Sequence, residues 1–222
     1  MVAPSTKQET QTINFQGLSI SLRKAKGKYM RLSIAMYPKA KAKQAPLITL
    51  FYHKKATHYD INTFLENNAL WIHNTFRQIS LKLEQYNTIL ANHPNEILLF
   101  GEWIPKIPLA HVRSILLAYL MERATILADS LGVRFSKLGI RPSYTRFGSC
   151  TQDRLSFSLL LAFAPKEQID YVIIHELAHL IHKNHSPRFW LLVEKHCPEW
   201  RTLRKTLKDH SGIYRALLDS IK

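Results

Sequence analysis

Residues 166–182 constrain the fold of this chain more than any other stretch. Pro165 opens the run, and a proline's missing N–H costs nothing where a helix begins. Val172, Ile173, Leu177, Leu180 and Ile181 recur at helical spacing and can anchor such a helix in a core. His175, Glu176 and His179 interrupt the same apolar run. Burial around them would keep the three side chains rigid and partly dry.

Helical residues four apart are separated by about 40° around the axis and about 6 Å along it, so His175 and His179 can converge on one cation. Zinc favours nitrogen ligands at ~2.0–2.1 Å, and a catalytic zinc takes three protein ligands. Glu176 lies about 100° round from His175, beside the ion, where it can accept a proton from water. Three sources could complete the ligand set. His185 follows His179 by six residues and is the expected third ligand, with Asn184 before it as a left-handed turn residue. A downstream acid, Glu194 or Glu199, is the next candidate. His182 is the last, because it lies about 10 Å along the axis from His175 and a regular helix cannot bring both to one ion. The competing account is a helix with surface histidines.

The 222 residues fit one large domain or two small ones, and 46% apolar with 21% charged residues suits a folded chain. The first ten residues lack a signal-peptide core, and no apolar stretch approaches the ~18 residues of a membrane span. Two cysteines, Cys150 and Cys197, are too few for a secreted disulfide framework, so a cytoplasmic location is expected. The net charge of +15 is unusual, and residues 1–60 carry eleven Lys or Arg against two acids. That excess supports non-specific attraction to nucleic acid, although a plain solvated basic face is preferred.

The patterning predicts an α+β fold in two parts. Residues 1–58 form a basic, β-rich segment, with strands alternating around residues 12–15, 18–22, 29–34 and 47–52, and a loop at 37–46. Residues 59–222 form the second part. Asp60 caps a helix running towards Ile89 with Trp71 and Phe76 in the core, 97–107 is a hairpin, and 109–131 is a helix closed by Gly132. Strands follow at 137–140, 146–150 and 155–162, then helices at 166–182, 187–196 and 199–207, with Ser186 capping the second of these.

Three segments together resemble a known family. They are Arg146-Phe147-Gly148-Ser149-Cys150, Ile169-Asp170-Tyr171-Val172-Ile173-Ile174-His175-Glu176-Leu177-Ala178-His179, and Asn184-His185-Ser186-Pro187-Arg188-Phe189-Trp190. Their order and spacing resemble the YgjP-like zinc metallopeptidases, relatives of the SprT-like proteases. The likeness is close over residues 146–190 and looser outside them. Phe147 departs from the tryptophan usual there. The resemblance implies a minimal zincin-like domain, a small sheet packed on the active-site helix. It also implies one zinc ion per chain on His175, His179 and His185, with Glu176 catalytic in hydrolysing protein or peptide substrates. Because SprT-like proteases act on proteins crosslinked to DNA, it suggests nucleic-acid-associated substrates. Strand residues 155–158 are a candidate edge for an extended substrate, with an ordinary core or edge strand as the equal alternative. Tyr144, Arg146, Arg188 and His196 are candidates to stabilise the oxyanion. Cys150 is expected to be a small buried residue, and Asp170 to have a surface or capping role. The alternative function is a basic nucleic-acid-binding module with a structural zinc site.

Overall fold

The structure is a computed structural model that describes residues 11–35, 46–141 and 143–221, so most of the loop expected at 37–46 lies outside the described residues. It divides into two compact units, one up to Ile89 and one from Leu90.

In the first unit, strands β1 (Gln11–Phe15), β2 (Leu18–Ala25), β3 (Arg31–Ala35) and β4 (Leu47–His53) form one sheet in the order β1-β2-β4-β3, with β2 and β4 parallel. The predicted alternation buries one face: Ile20, Leu22, Ile48 and Leu50 are at most 2% exposed. Ile61, Leu65 and Ile72 join the same cluster. Helices α1 (His58–Asn67) and α2 (Ala69–Asn92) therefore supply core to the N-terminal sheet, whereas the sequence reading divides the chain ahead of them. Asp60 is not the cap. Thr57 is, and Asp60 completes a reciprocal capping box from the third helical position. Trp71, expected in the core, is 48% exposed, while Phe76 does pack against the buried cluster.

The second unit begins with a hairpin of β5 (Glu96–Leu99) and β6 (Glu102–Pro105). Helix α3 (Leu109–Leu131) ends as predicted at Gly132, whose φ of 68° is left-handed. Strands β7 (Lys137–Arg141), β8 (Gly148–Thr151) and β9 (Arg154–Ser158) follow, then a 3-10 turn at Leu159–Phe163. Helices α4 (Lys166–Ile181), α5 (Pro187–His196) and α6 (Trp200–Ser220) complete the chain. The expected strand through residue 162 stops at Ser158, where the Ser158 hydroxyl accepts from Leu160 N at 3.2 Å and turns the backbone.

One expectation about the sheet is overturned. The strand order is β7-β9-β8, so β9 is central, parallel to β7 and antiparallel to β8. Both ladders of β9 are occupied, and residues 155–158 offer no free edge. The edge available beside α4 is β8.

Helix α4 is buried along most of its length, with Val172, Ile173 and Leu177 at most 4% exposed; Ile181, expected in the core, is 46% exposed at the helix end. Among the described residues, no helix is long and apolar enough to cross a membrane. Asp170 does more than cap or face solvent. The Arg123 guanidinium donates to it at 2.6 and 3.1 Å, and the Tyr119 hydroxyl donates at 2.9 Å, tying α3 to α4. The contact is half-buried and charge-assisted, so Asp170→Ala should lower the unfolding free energy of this unit by about 2 kcal/mol. Denaturant titration checks this, and a loss below about 0.5 kcal/mol would show the link to be dispensable.

Candidate active site

His175 and His179 lie one turn apart on α4, with ring centroids 5.0 Å apart. The helix stops at Ile181, His182 adopts an extended backbone, and the chain folds back. That return carries His185 to the helix, where its Nε2 lies 3.0 Å from His175 Nε2. The chain bends at Lys183 and Asn184, where the sequence suggested a turn, but Asn184 does not take the left-handed conformation. One ligand atom from each of His175, His179 and His185 fits within 4.8 Å of the others.

The rival ligands lie elsewhere. Glu194 is paired with Arg201, Glu199 sits at the start of α6, and His182 contributes its carbonyl, which accepts from His179 Nδ1 at 3.1 Å. A carbonyl can only accept, so His179 Nδ1 carries the proton and its Nε2 keeps a free lone pair. Burial, then the neighbouring His179 and His185, push the His175 pKa down to about 3, so its ring is neutral. Its Nδ1 is buried without a partner. Its Nε2 faces that of His185 at 3.0 Å, which places two nitrogens where a cation or a shared proton belongs. Three nitrogen donors in this arrangement fit a zinc-type ion.

Aromatic packing holds the three rings. Phe189 is fully buried, and its ring centroid lies 4.9, 4.6 and 4.8 Å from those of His175, His179 and His185. Trp190 stacks on His185 at 5.5 Å and on Trp200 at 4.2 Å, and Arg204 lies over its face. The sequence reading expects Phe189 and Trp190 to pack on the metal helix, and they support all three histidines as well.

Glu176 is 5% exposed. Burial pushes its pKa up to about 7, while the Arg146 charge and the Cys150 backbone N–H pull the other way. A group poised near neutrality can accept and release a proton. The carboxyl lies against Gly148 so closely that a Cβ built there would sit 2.5 Å from Oε1. Sequence reasoning quotes Gly148 only as part of a motif. Its signal was a glycine inside the strand expected at 146–150, which marks close approach by another group. Cys150 is half-buried rather than buried, and its thiol donates to the Gln152 carbonyl. Of the oxyanion candidates, His196 is turned to Ser130 at 3.3 Å, and the Tyr144 hydroxyl donates to Asp219 at 3.5 Å. Arg146 is the one whose charge reaches Glu176.

Residues 102–210 match the family described as YgjP-like, metallopeptidase domain. The chain carries a YgjP-like metallopeptidase domain. That span contains the three histidines, Glu176, Gly148 and Asp170. A similar solved structure is that of the metallopeptidase zymogen abylysin of Pyrococcus abyssi, 24% identical, covering 40% of this chain and 93% of that one, with a TM-score of 0.38. A search of curated proteins gave no match.

Glu176 and His175 of the YgjP-like domain act on stability with opposite signs. Folded Glu176 keeps its proton up to about 7 instead of 4.5, so its contribution is largest at low pH and is lost as pH rises through that window. Folded His175 stays neutral down to about 3, whereas the unfolded ring protonates below 6.5, so its contribution is lost as pH falls. Between pH 4.5 and 6.5 the two offset each other. Glu176→Gln removes one side of that balance. The metal-free variant should lose stability on acidification from pH 6.5 to 4.5 more steeply than metal-free wild type, by up to about 1.4 kcal/mol per pH unit. Parallel slopes in denaturant titrations across that range would rule out a raised pKa at Glu176.

Proposed function

We propose that this protein is a zinc-dependent metallopeptidase in which His175, His179 and His185 hold the ion and Glu176 is the general base. The observation that carries the proposal is the convergence of three histidine donor atoms within 4.8 Å, beside a buried carboxyl with its pKa near 7 on the same helix. Zinc, when bound, supplies Lewis-acid chemistry, polarising the scissile carbonyl and acidifying water.

The chain's own residues supply the rest. Glu176 takes a proton from the attacking water on its carboxylate and returns it to the leaving amine nitrogen. Gly148, having no Cβ, leaves that carboxylate the room it occupies. The free edge of β8 runs beside Glu176 and suits an extended peptide that pairs as an added strand. Arg146 places a positive charge near the same carboxylate.

A second role is proposed for the N-terminal unit. Arg23, Lys24, Lys26, Lys28 and Arg31 cluster along β2, β3 and their connection, beside Tyr29 at 85% exposure, which suits non-specific contact with nucleic-acid phosphates. Such binding would deliver proteins on nucleic acid to the peptidase. It should weaken with salt and survive Glu176→Ala.

Metal content by plasma mass spectrometry, with casein cleavage alongside, tests the peptidase proposal. Wild type should hold one zinc per chain, His185→Ala should lose it, and Glu176→Gln should keep zinc but not cleave. Wild type that binds no zinc after reconstitution would sink the proposal. Gly148→Ala should also keep zinc, because it touches no ligand, yet lose cleavage by about 100-fold or more as Glu176 is displaced. Wild-type turnover in that variant would remove Gly148 from the mechanism.

A further inference from the structure

We propose that the cavity beside Glu176 is an anion-binding subsite that receives a carboxylate of the substrate; the inference rests on the peptidase reading above. The cavity is about 250 Å³ and lies between the loop ahead of β8 and helix α6. Arg146, Lys208 and Arg215 line it, together with Thr145, Phe147 and Ser211.

Among the described lining residues there is no carboxylate. Asp219 stands outside the lining, where it accepts from Tyr144. Elsewhere in the same unit, Arg123 pairs with Asp170 and Arg201 with Glu194. By contrast, Arg215 Nε is buried with no hydrogen-bond partner. Leaving a buried guanidinium nitrogen unpaired is costly, and three cations around one cavity repel each other. A bound carboxylate offsets that repulsion, since its two oxygens match a guanidinium fork.

The position of the cavity identifies the source of the anion. Residues 144–147 run directly into Gly148, where β8 starts and the Glu176 carboxyl lies. A peptide paired along β8 and continuing past Gly148 arrives at Arg146. Strands rise about 3.3 Å per residue, so the anionic group falls about two or three residues from the bond that faces Glu176. A side chain of Asp or Glu and a free C-terminus carry the same carboxylate, and blocked termini separate them.

The test uses the zinc-loaded full chain on a proteome-derived peptide library, half of it with amidated C-termini, followed by sequencing of the products. Wild type should enrich a carboxylate by about fivefold at one position two or three residues from the cut. If the enrichment survives amidation, the source is a side chain; if it vanishes, it is the terminus. Lys208→Met and Arg215→Met should lose the enrichment, and Lys208→Arg should keep it. Lys208 is exposed, so its variants fold.

A second arm needs no turnover. A glutamate-containing tetrapeptide titrated into Glu176→Gln by calorimetry should bind about tenfold tighter than its glutamine counterpart, and Lys208→Met in that background should erase the difference. Cleavage without acidic preference, together with equal binding of the two tetrapeptides, overturns the subsite and leaves the peptidase standing. Acidic-peptide binding that needs Lys208 and Arg215 in a chain that cleaves nothing keeps the subsite and sinks the peptidase. An oligonucleotide that occupies the cavity while acidic peptides do not bind overturns the carboxylate in favour of a phosphate backbone.

Discussion

The contact between the Glu176 carboxyl and the backbone of Gly148 is the constraint on which the rest of the C-terminal unit depends. It joins a helix to the edge of a sheet with no side chain between them. Closeness on that scale excludes water from the carboxyl and raises its pKa towards 7. It also fixes a free ladder of the sheet, that of β8, beside this carboxyl. The unit therefore packs closely where the proposed chemistry needs a dry, immobile carboxyl.

Around that contact, each histidine is held by something other than a metal. His179 is tied to the His182 carbonyl, His185 is stacked on Trp190, and Phe189 lies against all three rings. Trp190 is in turn stacked on Trp200 at the start of α6. The donor set is thus organised by apolar packing that spans α4, α5 and α6. Preorganisation of this kind reduces what ligand binding must spend on ordering side chains.

The apolar run of α4, the one-turn spacing of its histidines and the return of His185 were legible because they are local and periodic. The unpredicted features depend on distant pairings. Asp170 meets Arg123 and Tyr119 across 47 and 51 residues, and nothing near Asp170 in the sequence indicates them. The central place of β9 follows from its parallel partnership with β7, which alternation along a strand cannot reveal. Asn184 does lie in the bend that follows α4, but without the left-handed backbone its propensity suggested. The reach of the N-terminal core was missed for a related reason: Ile61 and Leu65 carry the same helical spacing whichever unit they fill.

The bond from His179 to the His182 carbonyl has a consequence for the end of α4. The acceptor is the first residue beyond the helix, so the protonation pattern of the His179 ring is set by a backbone group at the helix end. When the last turn opens, that carbonyl moves away and the ring is free to exchange its proton between nitrogens. Readiness to bind an ion is thereby linked to the integrity of one helical turn.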